Sequence, residues 1–133
     1  MSFSDYLENE ILDHIFGCGT RDYTSPTNIF VALSTADPLD DGLGIAEPVG
    51  NGYARVSTVA ADWNVAAAGA VNNPNVITFP QATGLWGDIT HFALFDASTA
   101  GNLLASGGMS SQKNINDGDT ASFGAGSLTI TLD

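Results

Sequence analysis

Positively charged residues are almost missing from this chain. Its 133 residues include 15 Asp and Glu but only three Lys and Arg, so the formal net charge is −12. The three cations are Arg21, Arg55 and Lys113. Proteins that bind a phosphate backbone need several cationic contacts to displace its counterions. The composition therefore argues against nucleic acid and anionic membrane surfaces as partners, and the acidic excess is typical of a protein that stays soluble at high concentration.

Cysteine and long apolar runs are also scarce. Cys18 is the one cysteine, so no intrachain disulfide can form and no zinc site of several cysteines can be assembled. No apolar stretch approaches the roughly 20 residues that span a bilayer. The start, MSFSDYLENE, has neither the basic residues nor the apolar run of a signal peptide. We expect a chain that folds in a cytoplasm and makes no use of a membrane.

Motifs for catalysis and cofactor binding are missing too. The sequence has no P-loop, dinucleotide fingerprint, thiol redox motif or G-x-S-x-G nucleophile elbow. The two histidines, His14 and His91, have no companion that the sequence places beside them, and we interpret both as structural. Asp88 and Asp96 lie on one predicted strand, roughly 26 Å apart at full extension, which is too far for two carboxylates to cooperate in hydrolysis. We predict no enzyme activity and no cofactor.

Short apolar segments are what the sequence has in quantity. Hydrophobic residues make up 44% of it, enough to form a core in one domain of residues 1–133. The segment from Trp86 to Ala97 is the richest in aromatic and β-branched residues and has turn residues at both ends, which predicts the central strand of a β-rich fold. Alternation places Phe92 and Leu94 on one side of it. The other side receives Ile89, His91, Ala93 and Phe95. Since neither side is polar, both should be covered.

Strand-like segments recur at spacings of eight to twelve residues. This predicts a mainly β fold, an antiparallel β-sandwich of jelly-roll or Greek-key type with about eight strands. An Asp-Gly pair within Asn116–Asp119 indicates a hairpin turn. Residues 62–75 are predicted to form an irregular connection. The predicted strands are residues 28–34, 53–60, 76–80, 86–97, 103–106, 109–115, 120–123 and 127–132.

The N-terminal region, residues 1–19, has a helical pattern instead. Apolar residues recur at every fourth position and two more widen the stripe; they are Phe3, Leu7, Ile11 and Ile15, with Leu12 and Phe16 beside them. Ser2 or Ser4 can cap the start of the helix, and Gly17 or Gly19 can end it. The stripe is broad for a surface helix, so it should be buried against the sheet or against another copy of the chain.

A long acidic loop rich in Gly and Pro covers residues 35–52. It carries Asp37, Asp40 and Asp41, and loops of this length are often functional or become ordered on assembly. As a calcium-binding EF-hand it fails, because Leu39 and Pro48 occupy positions that need oxygen ligands. A calcium site of another kind remains an alternative to the favoured interpretation, a solvated acidic loop, and we predict no metal.

Three large aromatic residues allow two interpretations. Tyr53, Trp63 and Trp86 could form a flat platform for a carbohydrate, as aromatic rings do in many binding modules. In a chain of this size such residues more often belong to the core.

Several segments together resemble a family of short virion proteins of tailed phages, described as tail fibre-like or head-decoration proteins. The resemblance rests on MSFSDYLENEILDHIFG, LSTADPLDDG, GYARV, ITFPQATGLWGDITHFALFDASTAGNLLASG and GDTASFGAGSLTITLD. It covers most of the chain apart from residues 60–75. It implies a virion component that works by assembling and has no catalytic residues.

The leading hypothesis is therefore a capsid decoration, or cement, protein, present in the virion as a homotrimer that bridges subunits of the major capsid protein. The alternative is a tail fibre or tail-associated module that binds the host. Contacts with virion partners are expected through the helix, the acidic loop and the aromatic residues. The candidate interface residues are Phe3, Leu7, Ile11, Ile15, Asp37, Asp40, Asp41, Tyr53, Trp63 and Trp86.

Overall fold

The fold is mainly β and antiparallel with one α-helix at the N-terminus, as the sequence predicts. A computed structural model describes residues 2–19 and 23–132 of the chain. Within them the helix is α1 (Asp5–Phe16), and a short 3-10 helix spans Ala60–Asp62. The strands are β1 (Ser2–Phe3), β2 (Ile29–Ser34), β3 (Val56–Thr58), β4 (Ala70–Asn72), β5 (Ile77–Thr78), β6 (Gly87–Phe95), β7 (Leu103–Ile115), β8 (Ser122–Phe123) and β9 (Thr129–Thr131).

Five strands form the main sheet in the order β1-β7-β6-β2-β3, each antiparallel to its neighbours. β6 lies in the middle, which confirms the predicted central strand. Its second half is covered on both faces, because Phe92 and Leu94 join the main core while Ala93 and Phe95 join a smaller core on the opposite face. The alternation of side chains is therefore correctly predicted for these four residues.

Ile89 breaks the alternation, and its predicted side is wrong. It packs in the main core with Phe92 instead of on the opposite face. An irregularity in the pairing of β6 with β7 lies at this point: Ile89 pairs with Lys113, but His91 pairs with Gly108. A sheet bends and twists more strongly at such a bulge, so alternation counted along a regular strand does not carry across it.

Two ribbons of two strands each, β4 with β9 and β5 with β8, complete the β structure. They cover one face of the main sheet and share its core, which gives a sandwich-like arrangement. Phe123 of β8 meets Phe92 of β6 edge to face, with ring centres 6.0 Å apart. Leu128 and Ile130, in and beside β9, are buried in the same core.

Several strand boundaries differ from the predicted ones, and β1 is a strand that the sequence does not predict. Residues 103–106 and 109–115 belong to the single strand β7, and the predicted strand 53–60 is ordered as a strand only at Val56–Thr58. β4 lies within residues 62–75, where the sequence predicts an irregular connection, because small residues such as those in this segment give a weak β pattern. Its pairing with β9 supplies the order that the local sequence does not.

The helix begins and ends as its capping residues predict. Ser4 is the N-cap, and its hydroxyl accepts a hydrogen bond from the Leu7 amide at 3.2 Å while donating to the Leu103 carbonyl. Gly17 closes the helix in the left-handed conformation, with φ of 70°. The Ser4 amide also donates to the Leu104 carbonyl at 2.9 Å, so the start of the helix is fixed to the first residues of β7.

Candidate interaction surfaces

The apolar stripe of the helix divides into a buried and an exposed part. Leu7 is 9% exposed and Ile11 packs partly against the main core. Towards the end of the helix, in contrast, Leu12 is 52%, Ile15 is 65% and Phe16 is 74% exposed. Because the helix is fixed to β7 at its start, its second half presents these apolar side chains to solvent.

The exposed side of the helix also carries acidic residues. Asp5 and Glu8 are exposed, and they precede Leu12 and Ile15 at spacings of three or four residues that bring side chains to one helix face. We call this face the outer stripe and define it as Asp5, Glu8, Leu12, Ile15 and Phe16. Its first half is anionic and its second half is apolar.

The acidic loop reaches the anionic half of the outer stripe. The Asp5 amide donates a hydrogen bond to the Asp40 carbonyl at 3.0 Å, and the Ser2 hydroxyl donates to Asp40 Oδ1 at 3.0 Å. Asp41, the next residue, is exposed and accepts a hydrogen bond from the Leu43 amide at 2.9 Å. The fold thus brings two candidate interface residues of the loop, Asp40 and Asp41, to the start of the helix.

Hydrogen bonds hold the acidic loop in a defined conformation. Ser34, at the end of β2, is buried; its hydroxyl donates to the Ala36 carbonyl at 2.7 Å and accepts from the Ala46 amide at 3.0 Å. Pro38 is among the most deeply buried residues of the protein. The Asp37 carboxylate accepts from the Leu39 amide at 3.0 Å. The loop therefore offers a fixed surface, although it contains neither helix nor strand.

Arg55 joins the end of the acidic loop to the sheet. Its guanidinium donates to both carboxylate oxygens of Glu47, at 3.0 and 2.7 Å, and to the carbonyls of Ala97 at 2.8 Å and Ala100 at 2.9 Å. It also lies over the Phe95 ring, 3.7 Å from the ring centre. These internal contacts occupy the guanidinium, so the role of Arg55 is structural.

The pKa values of Glu47 and of its neighbour Tyr53 are shifted by their surroundings. Burial acts to raise the pKa of the Glu47 carboxyl, but hydrogen bonds from Arg55 and Tyr53 and the charge of Arg55 outweigh it, and the pKa is below its ordinary value of 4.5. Burial raises the pKa of the Tyr53 phenol, and its hydrogen bond to Glu47 adds to that effect. Glu47 is therefore anionic and Tyr53 neutral at pH 7.

The three large aromatic residues do not form one platform. Trp86 is 4% exposed, donates a hydrogen bond from Nε1 to the Asn51 carbonyl at 2.8 Å, and contacts Tyr53 edge to face with ring centres 5.2 Å apart. Tyr53 OH donates to Glu47 Oε1 at 2.7 Å and accepts from the Leu33 amide at 3.0 Å. Trp86 is buried and Tyr53 packs partly against the core. The three rings therefore do not form the carbohydrate platform, and these two follow the core interpretation.

Trp63 lies elsewhere, in an apolar groove between the helix, the main sheet and the β4–β9 ribbon. The groove has a volume of about 460 Å³ and includes Phe3 and Leu7, so three candidate interface residues meet there. Trp63 Nε1 donates to the Thr58 hydroxyl at 3.0 Å, which fixes the indole at the wall. The groove could take an apolar group, but no charged side chain of residues 2–19 and 23–132 lines it to select one.

The surroundings of His91 and of the acidic residues bear on the catalytic and metal-binding alternatives. His91 Nδ1 is 2.9 Å from the Thr90 hydroxyl, and its Nε2 is 3.9 Å from Asp37 Oδ2, beyond hydrogen-bond length. Over residues 2–19 and 23–132, no three His, Cys, Asp or Glu side chains come together as metal ligands. No helix in those ranges has the length and apolar character to cross a bilayer.

Sequence reasoning misses the composite nature of the outer stripe. Taken alone, Asp5 and Glu8 are favourable charges at the start of a helix and indicate nothing more. The available signal is their spacing, which continues the Leu12 and Ile15 positions towards the N-terminus. The contact between Asp40 and the helix start has no such signal, because it joins segments far apart in sequence.

Comparison with known proteins identifies the family of the chain. No curated protein matches the chain. Among protein families, residues 2–131 match the family described as Podophage GP4 fiber I protein gp80. That match covers nearly the whole sequence and confirms the resemblance to structural proteins of tailed-phage virions. The chain therefore belongs to the family of the podophage GP4 fiber I protein gp80 and is a structural component of a phage virion.

Proposed function

We propose that this protein is a fibre subunit of a podophage particle and that it acts by assembly, without catalysis. The observation that carries the proposal is the exposed apolar half of the outer stripe, since Leu12, Ile15 and Phe16 are each more than half exposed. Burying apolar surface contributes roughly 25 cal/mol per Å². Three large side chains on one helix face are therefore a suitable anchor for a neighbouring subunit. The fibre description of the family supports this location in the particle.

A capsid decoration protein, the role favoured from the sequence, is the second candidate. The fixed conformation of the acidic loop favours it, because a cement protein must hold two coat subunits at a set distance. The self-association expected from the sequence, with a trimer favoured, remains a prediction. Both candidates need the outer stripe, so they differ in location on the particle and not in the surface used.

Labelling of intact particles separates the two candidates. An antibody raised against the purified protein, imaged by electron microscopy on particles of the phage that encodes it, should decorate fibres at the tail. Label spread over the shell would favour the decoration role, and particles that carry no label would reject both.

The proposal of a non-enzymatic role has its own test. His91 Nε2 is 3.9 Å from Asp37 Oδ2, too far to donate a hydrogen bond to the carboxylate that would orient the imidazole. We therefore expect the purified protein to hydrolyse neither ester nor glycoside substrates. Turnover that is lost in His91→Ala would contradict the proposal.

A further inference from the structure

We infer that the outer stripe docks onto a virion subunit of a different sequence, one whose surface combines Lys or Arg side chains with an adjacent apolar pocket. The inference rests on the proposed function and names the partner chemistry. Its basis is the division of the stripe into an anionic half, Asp5 and Glu8, and an apolar half, Leu12, Ile15 and Phe16, all exposed.

A second copy of this chain is a poor occupant. If two outer stripes packed in parallel, the Asp5 and Glu8 carboxylates of the copies would face each other and repel. If they packed antiparallel, each anionic half would cover the other's apolar half and bury carboxylates without a partner, which is costly. Asp40 and Asp41 beside the helix start increase the negative charge in either arrangement.

The chain has little positive charge to offer such a copy. Among the described residues the Lys and Arg side chains are Arg55 and Lys113. Arg55 is 6% exposed in its side chain and already paired with Glu47. Lys113 lies near the end of β7, whereas the helix is held at the start of that strand, at Leu103 and Leu104. Arg21, the third cation, lies outside the described residues. Neither Arg55 nor Lys113 can complement the stripe of a second copy, which favours a positive charge supplied by another protein.

Helix geometry specifies the partner further. The centres of the anionic and apolar halves are separated by about eight residues, or about 12 Å along the helix axis. A complementary surface has its cationic groups and its apolar pocket at that separation. The cationic groups steer the approach and fix the direction of the helix, while the pocket supplies the buried area.

Neutralising the Asp5 and Glu8 carboxylates distinguishes a basic partner from a second copy, because it should change the strength of the two contacts in opposite directions. Asp5→Asn with Glu8→Gln should weaken docking onto a basic partner but strengthen contact with a second copy. Phage particles are assembled with each variant supplied in trans, and copies per particle are counted by mass spectrometry after washes in about 0.1 M and about 0.5 M NaCl. Leu12→Ser with Phe16→Ser tests the apolar half. Asp117→Asn and Val76→Ser, at exposed sites outside the helix and the acidic loop, are the matched controls.

We expect each double variant to lower the retained copies about ten-fold, and wild-type retention to fall with salt, while the controls behave as wild type. Circular dichroism of the purified variants checks that each still folds. The inference is overturned if the neutralised variant is retained as well as wild type, or if its purified form self-associates more strongly and is retained better. Absence of the wild-type protein from particles would instead reject the proposed function.

Discussion

At the scale of single residues, Arg55 connects several distant parts of the chain. Its guanidinium contacts Glu47 in the acidic loop, the turn at Ala97 and Ala100, and the Phe95 ring of β6. The scarcity of cations makes this residue conspicuous in the sequence. Its partners could not be predicted, because 42 positions separate it from Ala97.

Replacing the buried Arg55 should destabilise the fold far more than replacing the exposed Lys113. Arg55→Met removes the donor to two carbonyls and leaves the Glu47 carboxylate with its hydrogen bond from Tyr53 but without a countercharge, and we expect a loss of about 3 kcal/mol in the free energy of unfolding. Arg55→Lys keeps the charge but cannot form the fork, with an expected loss of about 1.5 kcal/mol. Urea unfolding measures both. Lys113→Met is the control, with a change within about 0.5 kcal/mol; equal losses in all three variants would contradict the prediction.

Glu47 gives a pH dependence with a defined sign. Its pKa in the folded protein is lowered, so its ion pair stabilises the fold above the ordinary value of 4.5 and loses that effect as pH falls through the folded-state pKa. Glu47→Gln lacks the charge at every pH. The difference in unfolding free energy between wild type and Glu47→Gln should therefore be constant above about pH 5.5 and shrink towards pH 3. Denaturant unfolding over this range tests it, and a difference that does not vary with pH would be the contrary result.

At the scale of elements, the acidic loop and the helix are both predictable from local signals. Proline and glycine content indicates the loop, and apolar periodicity with capping residues indicates the helix. The conformation of the loop is not predictable, since it depends on Ser34 and on close backbone packing at Gly44. A Cβ atom at Gly44 would lie 2.2 Å from the Asp37 carbonyl oxygen.

Gly44→Ala should accordingly disturb the loop. Because the conflicting atom belongs to the backbone, the chain must shift, and we expect a loss of about 1 to 3 kcal/mol in stability. Gly124→Ala is the matched control, since its nearest neighbour, Ser127 Oγ, is 3.9 Å away and no strained φ is involved. Its stability should stay equal or rise by up to about 1 kcal/mol. Thermal unfolding of both variants tests this prediction. Equal melting temperatures for Gly44→Ala and Gly124→Ala would contradict it and show that the loop accommodates the added methyl group.

At the scale of the whole molecule, the main features are the net charge of −12 and the uneven distribution of acidic and apolar side chains over the surface. Acidic side chains gather where the acidic loop meets the helix start, and apolar side chains project from the helix end. We expect a protein with this distribution to repel its own copies over much of its surface and, as proposed above, to dock through the apolar end of the helix onto a partner of opposite charge.

Self-repulsion of this size should be measurable as a salt effect on stability. Raising NaCl from about 10 mM to about 150 mM shortens the Debye length from about 30 Å to about 8 Å and screens the carboxylates from one another. We expect the melting temperature to rise by about 4 °C, corresponding to about 1 kcal/mol for a domain of this size. Differential scanning calorimetry at pH 7 measures it. A melting temperature that stays flat or falls would mean that favourable ion pairs outweigh the repulsion.

The sequence by itself determined most of the segments that become helix and strand, where the helix is capped, that β6 is the central strand, and the family. These properties follow from short-range periodicity, turn residues and composition, which act within a few positions of the chain. Only the tertiary structure decided which part of the helix stripe is buried, the side of the sheet that Ile89 faces, the existence of β4 and the partners of Arg55. The physical reason is that burial, register and ion pairing depend on residues that approach one another only after the chain has folded.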